Sequence, residues 1–152
     1  MIQRIQTIYL LLAGILPAFT FFVPVARLSG GDVWLSVYSC HYDATQVVEM
    51  AGKHPWGLMV WSLVAMVLSF WAITGYKNRK KQAKKTLWAV SCHVLWFVAL
   101  GAYTYSIAGR IGFDLGMGFG SVFPLLSIAF LLLARRAICK DEALVRAADR
   151  IR

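Results

Sequence analysis

Residues 55–108 read PWGLMVWSLVAMVLSFWAITGY (55–76), KNRKKQAKKT (77–86) and LWAVSCHVLWFVALGAYTYSIA (87–108). The first and third of these segments contain no Asp, Glu, Lys or Arg, whereas the second contains six basic residues and no acidic one. A helix needs about 20 apolar residues to cross a hydrocarbon core of about 30 Å. These residues therefore predict two membrane-spanning helices joined by a basic connection.

Two further apolar runs, 5–26 and 116–134, raise the predicted number of spans to four. The chain has 152 residues, of which 59% are hydrophobic and only 15% charged, whereas about a quarter of residues are charged in soluble domains. None of the four runs contains a charged residue, and one such residue at mid-span costs about 2.5 to 3.5 kcal/mol. We predict an all-α membrane protein, a single four-transmembrane-helix bundle over residues 1–152 with a helical tail at 135–152.

The basic residues predict the orientation of this bundle. Thirteen of the sixteen fall on the side that holds both termini, the connection 77–86 and the tail, and only Arg27, Lys53 and Arg110 fall on the other. Lys and Arg accumulate on the cytoplasmic side of membrane proteins. We therefore expect a multi-pass protein of the cytoplasmic membrane with both termini in the cytoplasm. The candidate contacts to anionic lipid headgroups or to a partner are Arg4, Lys77, Arg79, Lys80, Lys81, Lys84, Lys85, Arg135 and Arg136.

The partner of this basic side is expected to be membrane lipid, another membrane protein or a second copy of the chain. Nucleic acid is disfavoured, since only Asn78 and Gln82 are interleaved with the basic residues of the connection, and nucleic-acid surfaces usually add aromatic or hydrogen-bonding groups.

The longest connection, 27–54, is predicted to carry a short strand or hairpin. Val33, Leu35 and Val37 alternate with polar residues or Trp34, and a Ser-Gly-Gly-Asp turn signal (29–32) precedes them. This segment either caps the bundle or binds a periplasmic partner.

Gly112, Gly116 and Gly120 recur every fourth residue, which allows close backbone approach if the stretch is helical. A tight turn into a short fourth span is the alternative.

His93 is the only imidazole within a predicted span and is the candidate intramembrane polar site. It is either a neutral histidine hydrogen-bonded to a neighbouring helix or part of a redox or other enzyme subunit. A bis-histidine haem would need a second histidine at similar depth, but His41 and His54 are both predicted outside. The three cysteines, Cys40, Cys92 and Cys139, are predicted at different levels and form no Cys-x-x-Cys pair. No catalytic residue, cofactor or metal ligand is therefore predicted.

The opening MIQRIQTIYLLLA (1–13), the basic connection and the closing KDEALVRAADRIR (140–152) resemble a family of short four-span bacterial membrane proteins, associated with Bacteroidetes, that carries a domain of unknown function. The resemblance implies a bacterial cytoplasmic-membrane location and no assigned activity. Since the two ends carry the resemblance, we expect Gln3, Arg4, Gln6 and the pair 149–150 to share one surface. Gln3 or Arg4 would contact an acidic residue of the tail, either within one chain or across a dimer.

Three classes of function are compatible with these observations. The favoured one is a non-enzymatic accessory, assembly or interaction subunit that acts through its basic cytoplasmic face and outer loop. The alternatives are a membrane-embedded redox or other enzyme subunit using His93, and a small-solute transporter. Coupled carriers commonly place a carboxylate near midplane, and the predicted spans contain none.

Overall fold

The computed structural model describes residues 2–30, 33–44, 54–76, 78–111 and 114–149. These residues form four α-helices, α1 (Ile2–Ile15), α2 (Trp56–Thr74), α3 (Arg79–Ile111) and α4 (Val122–Asp149). They also form four strands, β1 (Ala26–Gly30), β2 (Val33–Val37), β3 (Tyr42–Ala44) and β4 (Asp114–Met117). The predominantly helical class is confirmed, and the small antiparallel sheet is larger than the predicted short strand or hairpin.

Each helix packs on two others: α1 on α2 and α4, and α3 on α2 and α4. The start of α1 and the start of α3 both contact Asp141, near the end of α4. We call this end of the molecule the basic end, and the opposite end, which carries the strands, the sheet end. In the half nearer the basic end, Leu10 and Leu131 pack among small side chains, Ala13, Ala72, Ala89 and Ala134.

Among the described residues, three helical segments, in α2, α3 and α4, are long and apolar enough to cross a membrane, and the apolar helix over Ile5–Phe21 is shorter. The first segment therefore differs from the predicted span 5–26. It tightens into a 3-10 helix at Leu16–Phe21, and Ala26 already belongs to β1. Pro17 explains the change, because it has no N–H to donate to the preceding turn.

The basic connection also differs from its predicted extent, 77–86. The described chain ends α2 at Thr74 and begins α3 at Arg79, so residues 79–86 are the first turns of a 33-residue helix. Lys, Arg, Gln and Ala all favour helix, and the Asn78 side-chain oxygen accepts the Lys81 N–H at 3.2 Å, which satisfies a free donor of the first turn. The basic side chains therefore project from a rigid helix.

The sheet has the strand order β3-β2-β1-β4, and every neighbouring pair is antiparallel. The predicted hairpin is confirmed as β1 and β2, with Leu28 opposite Leu35. One face of the sheet is buried, and Leu28, Leu35 and Val37 pack there with apolar residues from the halves of α2 and α3 that are nearer the sheet end. These helix residues are Leu58, Trp96, Leu100 and Ile107.

The glycine-rich stretch is not helical where the prediction began the fourth span. Gly116 lies in β4, and α4 begins at Val122. Close backbone approach does occur here, because the N–H groups of Gly118 and Gly120 donate to the carbonyls of Val25 and Pro24 at 3.0 and 2.9 Å. A Cβ on Gly118 would collide with the Pro24 carbonyl. The predicted C-terminal helix is confirmed as far as Asp149.

Candidate functional site

A groove of about 710 Å³ lies at the basic end, between the first turns of α3 and the last turns of α4. Its apolar lining comes from Ala83 on α3 and from Ile138, Ala143 and Ala147 on α4. Its charged lining comes from Arg79, Lys80, Glu142 and Arg146. Ala143 and Ala147 are four residues apart and share one face of α4, so the small side chains leave room along the groove.

Two polar contacts beside the groove hold the tail of α4. The Gln6 amide donates to Oδ2 of Asp141 at 2.6 Å, and both side chains are buried, at 3% and 6% exposure. The Arg79 guanidinium donates to the backbone carbonyl of Asp141 at 3.4 Å. A buried carboxylate is costly unless it is hydrogen-bonded, so Gln6 joins the α4 tail to α1, and Arg79 joins it to α3.

This contact is the described counterpart of the expected one between the N-terminal residues and the tail. The residue that makes it is Gln6, and its partner is Asp141. The side chains of Gln3, Arg4 and Asp149 lie outside the described part of the chain, as does Arg150, so the expected role of those residues stays a prediction.

The groove has an excess of positive charge. Glu142 is paired with Arg146, with 3.0 Å between its Oε1 and the guanidinium. Within the described ranges, neither Arg79 nor Lys80 forms an ion pair with a carboxylate. Two cations therefore face the groove without a carboxylate counter-charge of their own.

The other predicted basic contacts lie outside the groove. Lys81, Lys84, Arg135 and Arg136 are exposed, and the Lys85 ammonium lies 4.0 Å from the centroid of a Trp71 ring. Lys77 lies outside the described residues. The structure thus brings together Arg79 and Lys80 of the predicted set and leaves the remaining described cations dispersed over the surface.

His93 is buried in α3, with 1% of its surface exposed. Its Nδ1 lies 2.8 Å from the Ala89 carbonyl, one turn earlier on the same helix, so this nitrogen carries the proton and donates it. The hydrogen bond therefore runs to its own helix, which differs from the expected bond to a neighbouring one. Its Nε2 and the Trp96 indole N–H have no hydrogen-bond partner among the described groups.

Cys40, His41 and Tyr42 are described residues of the sheet end whose side chains could take part in chemistry. Cys40 Sγ lies 3.0 Å from His41 Nδ1, far along the chain from Cys92 in α3 and Cys139 in α4. Burial raises the pKa of Tyr42 to about 12, and nearby Tyr103 adds to the shift, so this phenol stays neutral at physiological pH. Within the described ranges, no three His, Cys, Asp or Glu residues form a group that could hold a metal ion.

Sequence reasoning missed the groove because its two walls are 55 or more residues apart in the chain. The spacing of Ala143 and Ala147 was a usable signal, since it marks a small-residue face on a polar helix.

No curated protein matches the chain. A family model described as a domain of unknown function, DUF4293, matches residues 2–151, and the chain therefore belongs to the DUF4293 family.

Proposed function

We propose that this protein is a non-enzymatic accessory or assembly subunit of the bacterial cytoplasmic membrane, and that it binds a protein partner through the groove at its basic end. In this proposal all four helices span the membrane, both termini lie in the cytoplasm and the sheet lies outside. The basic end then faces the cytoplasm, as the distribution of Lys and Arg favours.

Membrane insertion is supported by the outer surface of the helices. Ile8 on α1, Val67 on α2, Val98 on α3 and Leu125 on α4 are each more than half exposed. Exposed apolar side chains on all four helices would be costly in water, but they suit lipid tails. The helix over Ile5–Phe21 would be about 28 Å long, at about 1.5 Å per residue in its α-helical part and about 2.0 Å per residue in its 3-10 part, which is close to the thickness of the core, and the sheet begins a few residues after it.

The boundary on the cytoplasmic side is proposed to lie near Trp71 and Trp88, which are both more than half exposed. Tryptophan favours the membrane interface. Lys84, Lys85, Arg135 and Arg136 would lie at or just beyond this level and contact anionic headgroups, at about 1 kcal/mol each. Arg79 and Lys80, at the start of α3, would project further into the cytoplasm.

The observation that carries the proposal is the groove itself. It combines an apolar floor with two cations that have no carboxylate partner, and its α4 wall is joined to α1 by the buried Gln6–Asp141 contact and to α3 by Arg79. Protein interfaces commonly combine an apolar centre with a polar rim, and the groove has this composition. A second copy of the chain is the weaker candidate, because two such basic ends would repel each other.

The test is affinity purification of the tagged full-length protein in mild detergent, from cells at native expression, with mass spectrometry of the eluate. Lys80→Glu should reduce recovery of a stoichiometric partner at least tenfold, because Lys80 lines the groove. Lys81→Glu is the matched control, since Lys81 is exposed and is not part of the groove lining, and it should leave recovery unchanged. Equal loss in both variants, or no stoichiometric partner, would contradict the proposal.

A second candidate, a membrane-embedded redox subunit using His93, is favoured by one observation. His93 Nε2 is buried with no hydrogen-bond partner among the described groups, and a free imidazole nitrogen is a possible axial ligand of haem. A visible absorption spectrum of the same purified sample tests this candidate. A Soret band that His93→Ala removes would support it over the accessory-subunit proposal.

A further inference from the structure

The face of the sheet that points away from the core carries an ordered row of polar residues. Arg27 on β1 is directly opposite Ser36 on β2, and Ser36 is directly opposite Asp43 on β3. Directly opposed residues in an antiparallel sheet lie on the same face. The row therefore places a guanidinium at one end and a carboxylate at the other, with a hydroxyl between them.

This row crosses a hollow of about 560 Å³, which is within the range of about 300 to 1,000 Å³ that small-molecule sites occupy. Trp34 and Tyr38 also line the hollow, and so does Ser29. Aromatic walls with a few placed polar groups are the usual composition of a ligand site. The hollow lies at the sheet end and shares no lining residue with the groove at the basic end.

The two charges at the ends of the row do not neutralise each other. Arg27 and Asp43 are both exposed, and among the described residues no ion pair involves either of them. Neighbouring strands are about 4.8 Å apart, so the two α-carbons are separated by about 10 Å. A ligand that satisfies both groups must carry an anion and a cation at its opposite ends.

We propose that this hollow binds a short peptide with free ends, of two or three residues, lying across the strands. Its terminal carboxylate pairs with the Arg27 guanidinium, whose fork of N–H groups suits a carboxylate, and its terminal ammonium pairs with Asp43. An extended peptide advances about 3.3 to 3.6 Å per residue, so two or three residues span about 7 to 10 Å. The charges of a phosphoethanolamine headgroup are only a few bonds apart and fit this separation less well.

The proposal is independent of the proposed accessory function, because it concerns the other end of the molecule. It is tested by calorimetric titration of the full-length protein in nanodiscs made without ethanolamine lipids, using trialanine as the probe. Trialanine should bind, and Arg27→Gln and Asp43→Asn should each weaken binding at least tenfold. Trialanine with acetylated and amidated ends should show no binding.

Asp114→Asn is the matched control for Asp43→Asn. Asp114 is an exposed carboxylate on the same sheet, opposite Ser29, but it is not part of the lining of the hollow, so affinity should be unchanged. The exchange variant carrying both Arg27→Asp and Asp43→Arg should recover at least part of the lost affinity, because a zwitterionic peptide can reverse its direction. This recovery also separates a binding effect from misfolding of the single variants.

Three results would overturn the proposal. The first is equal binding of the free and the blocked peptides, which would remove the role of the terminal charges. The second is binding of phosphoethanolamine as tight as that of trialanine, which would assign the hollow to a lipid headgroup. The third is no binding of trialanine by the unaltered protein.

Discussion

At the scale of single residues, the contact between Gln6 and Asp141 organises the basic end. It joins side chains 135 residues apart, at 2.6 Å, in a place where both are buried. The neighbouring ion pair joins Glu142 and Arg146, which are one turn apart on α4, and the Arg146 side chain is 60% exposed. A buried, charge-assisted hydrogen bond contributes more to stability than an exposed ion pair of similar length.

We therefore predict that Gln6→Ala lowers the free energy of unfolding by about 1.5 to 3 kcal/mol, because it leaves a buried carboxylate without its donor. Glu142→Gln, which removes the exposed pair, should cost at most about 1 kcal/mol. Unfolding of both variants in mixed micelles with increasing denaturing detergent measures the difference. A cost for Gln6→Ala no larger than that for Glu142→Gln would show that the contact does not hold the tail.

The sequence predicted the position of a residue only where the residue type alone indicates its surroundings, as it does for basic side chains. Basic side chains were expected at one end, and those that are described do lie there. The sequence did not show which of them line a groove, because that depends on how the tail of α4 packs against the start of α3. The partner of His93 was missed for a similar reason, since its own helix offered a carbonyl within reach of Nδ1.

At the scale of elements, the crossing between the end of the first helical segment and the start of α4 depends on two glycines. Gly118 and Gly120 bring their backbone against Pro24 and Val25, and backbone atoms on both sides leave no space for a side chain. These glycines allow the chain between β4 and α4 to pack closely against the connection that leads into β1. They do not lie between two packed helices.

Gly118→Ala should destabilise the protein by about 1 to 3 kcal/mol, because the added methyl group forces two backbone segments apart. Gly101→Ala is the control, since a Cβ there meets no atom within 4 Å. It should be neutral or stabilising by up to about 1 kcal/mol, because alanine favours helix over glycine. Thermal unfolding of the two purified variants checks the prediction, and equal melting temperatures would contradict it.

Elements with a strong periodic signal were predictable, and those set by tertiary pairing were not. The alternation of Val33, Leu35 and Val37 predicted β2, and the turn signal at 29–32 indicated a hairpin without identifying β1 as the partner strand. β4 has only Leu115 and Met117 as apolar residues among glycine and Asp114, so it forms because β1 offers a free edge. The start of β1 at Ala26 was hidden because Val25 and Ala26 continue an apolar run.

At the scale of the whole molecule, the two ends differ in chemistry while the exposed surface between them is mainly apolar. The basic end presents helical turns rich in Lys and Arg, and the sheet end presents a sheet with one buried and one polar face. This division supports the proposed placement across a membrane. It also separates the two proposed binding sites, since one would lie in the cytoplasm and the other outside.

The most direct test of the account is the accessibility of one cysteine at each end of the molecule, probed with a membrane-impermeant maleimide in spheroplasts. One variant keeps only the exposed Cys139 on α4, with Cys40→Ser and Cys92→Ala. The other adds Cys139→Ser and Asp114→Cys, which places the only thiol on β4. The account predicts labelling at position 114 in intact spheroplasts and labelling at position 139 only after permeabilisation. Labelling of Cys139 in intact spheroplasts would contradict it.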